Sequence, residues 1–160
     1  MKNFLTRTFT LVGLYSFSLA SISIASASTP APSHIAEKPL CRIEVDSAHP
    51  STYFRNQDVS AVKVNARSVC NVIQREVLLK VQLFKVGLFF DHLVATSTTK
   101  ASSPSSQGKM VENNDTYKVC INRKVTRYYG VASATAIIND QRVAAPPARS
   151  REIVPIACGT

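Results

Sequence analysis

The chain has no tryptophan, two methionines and only five glycines in 160 residues. With glycine this scarce there is no G-x-x-x-x-G-K-[ST] and no G-x-G-x-x-G segment, which removes the backbone cradles that hold nucleotide phosphates. H-E-x-x-H and G-x-S-x-G are also absent, and with them the shortest signatures of a metalloprotease and of a serine hydrolase. The four cysteines form no C-x-x-C pair and have no histidine at ligand spacing, which argues against zinc. Acid is also in short supply, with ten Asp and Glu against nineteen Lys and Arg. Carboxylate pairs for glycoside cleavage, Asp91 with Glu112 or Asp58 with Glu44, are better explained as solvated surface residues. No cofactor is expected, and the chain reads as a non-enzyme.

A long hydrophobic run is missing as well, and the short one present sits at the start. Lys2 and Arg7 precede an apolar stretch, Phe9 to Leu19, which passes into small residues ending in Ala25-Ser26-Ala27. A basic start, a short apolar middle and an A-x-A site form the pattern of a cleavable signal peptide over residues 1–27. The apolar stretch is shorter than the roughly 20 residues a bilayer span needs. The expected product is exported and carries no membrane span. Residues 28–40 are rich in proline and alanine without apolar period and read as a mobile N-terminal segment. A domain of residues 41–160 follows, long enough to bury about two thirds of the surface its unfolded chain exposes.

Export changes the meaning of Cys41, Cys70, Cys120 and Cys158. In an oxidising compartment four separated cysteines read as two disulfides. Of the three possible connectivities, Cys70–Cys120 with Cys41–Cys158 is favoured, because it ties the middle of the domain once and its ends once. Export also selects the partners of a basic chain. Lys2 and Arg7 fall in the leader, leaving 17 Lys and Arg against 10 acids and a net charge of +7. Outside a cell such a surface meets wall polymers, phospholipid surfaces or acidic proteins rather than nucleic acid.

The domain alternates with period two, the signature of half-buried strands. Cys41, Ile43 and Val45 share one side. Val62, Val64, Ala66, Ser68 and Cys70 share another, and after a break so do Val77, Leu79, Val81 and Leu83. Leu88 to Thr96 reads as a return strand, Ala101 to Gly108 as a loop, and Thr116 to Ile121 as a short strand that sets Cys120 on the face opposite Tyr117, Val119 and Ile121. In Tyr128 to Ile138, Gly130, Ala132, Ala134 and Ala136 line one face with small residues, which predicts close approach of a second layer. Asn139-Asp140 is a turn signal. Pro146-Pro147 keeps Ala144 to Ala148 out of a central position, and Pro155 places Ile153 to Cys158 at an edge or a bulge. About seven short strands without a repeat predict an all-β fold, a two-layer antiparallel β-sandwich, Ig-like or similar, with two disulfides. A small barrel satisfies the same strand count.

One segment has a competing reading. Leu79, Leu83, Val86, Phe90 and Leu93 also fit one face of a helix near Lys80 and Lys85, so residues 77–94 are a candidate membrane-active stretch of a secreted toxin or antimicrobial. The β-branched residues, Gly87 and the strict alternation favour the strand.

The segment Val62 to Cys70, then Val77 to Lys85, Cys120 before Tyr128-Tyr129, and a terminal Cys158 resemble a group of small secreted proteins of Gram-positive actinobacteria. The resemblance spans most of residues 59–158 and implies a β-sandwich. It implies no activity and transfers no functional residue. The leading expectation is therefore a secreted binding module for an anionic wall polymer or an extracellular protein. Its candidate patch is Arg123, Lys124, Arg127 and Tyr128, where basic and aromatic residues interleave, with Phe89 as an apolar contribution.

Overall fold

The computed structural model describes residues 40–102 and 108–160. The expected signal peptide, all but the last residue of the 28–40 segment, and residues 103–107 of the expected loop lie outside the described residues. The elements run β1 (Cys41–Val45), β2 (His49–Pro50), a single helical turn α1 (Thr52–Arg55), β3 (Ala61–Lys85), β4 (His92–Ala101), β5 (Gly108–Val119), β6 (Asn122–Ile138), β7 (Gln141–Arg149) and β8 (Val154–Gly159). Every ladder is antiparallel.

The two stretches expected as separate strands, 62–70 and 75–86, are one strand of 25 residues. Its first half pairs with β1, β2 and β5, and its second half with β4 and β6. The inward positions change parity along it. Val62, Val64, Ala66 and Cys70 are buried in the first half, and Val77, Leu79, Val81 and Leu83 in the second. An unbroken period of two would turn the second set outward. Glu76, at φ 47°, and the register shift between Arg75 and Leu78 absorb the extra residue as a bulge. The strand thus serves two sheets with its apolar side inward in both.

The first sheet is β1 and β2, then β3, then β5. The second is β4, β3 and β6, with β7 along residues 131–138 of β6 and β8 along 122–128. Their facing sides share one core. The edges β1 and β7 come close, as do β4 and β5, but no ladder closes either seam among the described residues. The architecture is therefore a two-layer sandwich and not a closed barrel. The small-residue face of β6 does what its composition predicts. A Cβ on Gly130 would lie 2.3 Å from Cγ2 of Val64 and 2.9 Å from Cγ1 of Val45, so the layers meet where β6 has no side chain.

The disulfides differ from the favoured pairing. Cys41 bonds to Cys70, and Cys120 to Cys158. The reason is register. The β1–β3 ladder sets Cys41 directly opposite Cys70, which makes that bridge a cross-strand tie within the first sheet. Cys120 follows β5 in the first sheet and Cys158 lies in β8 of the second, so the other bridge joins the layers. The loops closed, with separations of 29 and 38 residues, each restrict the unfolded chain by about 4 kcal/mol in the entropy model.

β5 also faces the opposite way from its apolar pattern. Tyr117, Val119 and Ile121 are exposed, while Asn113 and Thr116 are buried. The buried polar groups are satisfied at the seam with β4, where the Ser97 hydroxyl donates to Asn113 Oδ1 at 2.8 Å and pairs with Thr116 Oγ1. Cys120 is held by its amide on the Ser60 carbonyl at 2.9 Å. The helical reading of 79–93 fails for a related reason. The Val77–Lys85 backbone is bonded on both sides, to β4 and to β6.

Candidate functional site

The β3–β4 connection carries the most conspicuous surface. Lys85 pairs with His92, and the chain between them presents Leu88 at 97%, Phe89 at 88% and Phe90 at 79% exposure. Three adjacent large apolar side chains that stay in water contribute almost nothing to folding, so folding does not account for their presence. The loop is held at its base. A Cβ at Gly87 would lie 2.0 Å from the Phe90 carbonyl oxygen, so the backbone passes there only as glycine. The Val86 amide donates to the Arg127 carbonyl at 2.9 Å. Asp91 accepts from the Gly87 amide at 3.4 Å and from the Tyr129 hydroxyl at 2.8 Å.

Tyr129 is itself fixed. Its ring stacks on Phe84 with centroids 5.3 Å apart, and the Arg149 guanidinium lies 3.6 Å above it. Burial, and then the Asp91 carboxylate beside it, push its hydroxyl pKa above the usual tyrosine value, so the phenol stays protonated and keeps donating.

Basic residues collar the tip. Leu88, Ile121 and Val125 line one hollow with Lys85, Lys124 and Arg127, and Ile121 and Val125 are exposed. Lys85 donates to the Thr160 carbonyl. Of the candidate patch, Lys124 and Arg127 therefore share a hollow with Leu88, the chain neighbour of Phe89. Arg123 is exposed on the same strand but does not line the hollow. Tyr128 does not belong to the patch. It is fully buried, and its hydroxyl donates to the Cys158 carbonyl at 2.5 Å. Alternation from Gly130 through Ile138 puts even-numbered β6 residues inward, and Tyr128 continues that series; the pair Tyr128-Tyr129 in sequence conceals it.

The sequence reading missed a second basic surface. Arg42, Arg67, Arg149 and Arg151 line one groove with Glu44 and Asp46. These residues are scattered along the chain and are assembled by the β1–β3 ladder and the approach of β7 to β1, which no local pattern announces. A small cleft beside Cys41 and Cys70 includes the buried Gln74, whose amide is used internally on the Ser68 and Lys109 carbonyls, both at 3.1 Å.

His49 contacts the Ser47 carbonyl at 3.0 Å, and neither His49 nor His92 meets a serine hydroxyl or a carboxylate among the described residues. Among the same residues no three His, Cys, Asp or Glu side chains gather as a metal site, and no helix is long and apolar enough to cross a membrane. Compared with known proteins, the chain matches no family model, no curated sequence and no solved structure.

Proposed function

We propose that this protein is an exported, non-enzymatic binding module that docks on an anionic lipid surface through the Leu88–Phe90 tip. The observation that carries the reading is three adjacent, largely exposed hydrocarbon side chains on a braced loop, the first of which, Leu88, shares a hollow with Lys124 and Arg127. Apolar side chains alone fit many partners, and cations alone fit a wall polymer. Together they match a headgroup layer with hydrocarbon beneath it. Full transfer of one Leu and two Phe side chains is worth about 5–8 kcal/mol before the costs of association, and each cation near an anionic surface adds about 1 kcal/mol. The basic, leader-like N-terminus and two disulfides are compatible with export.

The toxin reading of residues 77–94 narrows accordingly. Val77, Leu79, Val81 and Leu83 are core residues, and releasing them dismantles both sheets. The Leu88–Phe90 tip can enter a membrane without disturbing that core, which favours docking over disruption.

The mature protein is therefore expected to sediment with phosphatidylglycerol vesicles, to leave phosphatidylcholine vesicles unbound, and to release no entrapped dye from either. Retention on purified cell walls but not on vesicles assigns the surface to a wall polymer and overturns the lipid reading. Dye release at the binding threshold returns the toxin reading.

A further inference from the structure

The arginine groove supports a second binding site. Arg42 stands on β1, Arg67 on the first half of β3, Arg149 at the end of β7 and Arg151 just beyond it, and together they surround a groove of about 490 Å³ at the seam between the two sheets. Two carboxylates, Glu44 and Asp46, face four guanidinium groups there. Glu44 takes two of them. Its Oε1 is 2.7 Å from Arg42 and its Oε2 is 2.5 Å from Arg67. Those two hydrogen bonds, Arg67 first, hold its carboxyl below the usual glutamate range. Arg149 and Arg151 have no carboxylate partner among the described residues, and Arg149 is held over the Tyr129 ring.

We propose that this groove binds a multiply charged phosphate or sulfate ligand. Glu44 shows the principle. A single planar anion already reaches two of the guanidinium forks, one with each oxygen. A guanidinium fork pairs with two oxygens of an oxyanion, in a geometry an ammonium group does not reproduce. Arg149 and Arg151, without a carboxylate partner among the described residues, supply the surplus charge that a ligand with several oxyanion groups requires. Glu44 then acts as an internal competitor, occupying Arg42 and Arg67 until a ligand shares them. The groove shares no lining residue with the hollow that holds Lys124 and Arg127.

The test is calorimetric titration of the folded mature protein with inorganic tripolyphosphate and with dextran sulfate. Binding to the first alone assigns phosphate, binding to the second alone assigns sulfate, and binding to both assigns the shared oxyanion chemistry. Arg151→Gln, at an exposed position, is expected to weaken binding about ten-fold. Glu44→Gln, which frees Arg42 and Arg67, is expected to tighten it about three-fold. The double change Lys124→Gln/Arg127→Gln removes two charges outside the groove and is expected to alter affinity less than Arg151→Gln does. The proposal is overturned if neither probe binds, if the double change costs as much as Arg151→Gln, or if Glu44→Gln binds no more tightly than the unaltered protein.

Discussion

Two apolar regions of this molecule are treated in opposite ways. At Gly130 the layers approach so closely that a single methyl group would overlap Val64. At Leu88–Phe90, on the connection leaving the same two-sheet strand, three large side chains stand in water. The first region uses the absence of a side chain to bring two sheets into contact. The second spends hydrocarbon where it adds nothing to folding. Apolar content by itself does not mark a core. Whether another layer covers the residue decides its role, and at the tip the covering layer has to come from another body.

The interior is expected to tolerate far less change than the tip. Replacing the inter-layer bridge, Cys120→Ser with Cys158→Ser, is expected to cost about 4 kcal/mol, the closure entropy of its loop. Urea unfolding of the oxidised protein reads this directly. Gly130→Leu is expected to cost about 3 kcal/mol, because the new side chain enters a filled interior, and a shifted urea midpoint with unchanged slope would show that the fold persists. The ion pair at Glu44 has a smaller effect with a defined sign. Its carboxyl pKa is depressed in the folded protein by Arg67 and Arg42. Its contribution is therefore fully present above the unfolded value of about 4.3 and is lost as pH falls through the lower folded value. The slight acid destabilisation expected there disappears in Glu44→Gln. Phe89→Ser with Phe90→Ser is expected to leave the urea midpoint within about 0.5 kcal/mol, since neither ring is covered. A loss as large as that of Gly130→Leu would place the tip within the folding core.

Much of this division was legible in the sequence. The alternation of Val62 to Cys70 and of Val77 to Leu83 identified both halves of β3, and the small residues of β6 announced the close approach of a second layer. The parity change between the halves marked the bulge at Glu76, yet it read as an ordinary gap because local alternation does not say that one strand serves two sheets. The disulfide pairing was not legible, since Cys41 meets Cys70 only through a ladder register fixed by tertiary packing. β5 misled because its outward face carries Tyr117 and Val119 while Asn113 and Thr116 go inside, where Ser97 satisfies them; polar networks of this kind leave no periodic trace. Of the candidate patch, Lys124 and Arg127 line a hollow with Leu88, the chain neighbour of Phe89, and Arg123 lies outside that hollow. Tyr128 was lost to the core, and the four arginines of the groove are too dispersed to have been seen.

The absence of tryptophan makes docking through the tip directly measurable. Phe89→Trp places a lone indole at the tip of a chain that otherwise has none, so its emission reports that position alone. Added to phosphatidylglycerol vesicles, this variant is expected to shift its emission to shorter wavelength and to be quenched by lipids brominated in the acyl chain. Emission that stays at the wavelength of a water-exposed indole while the protein sediments with the vesicles would contradict docking through the tip.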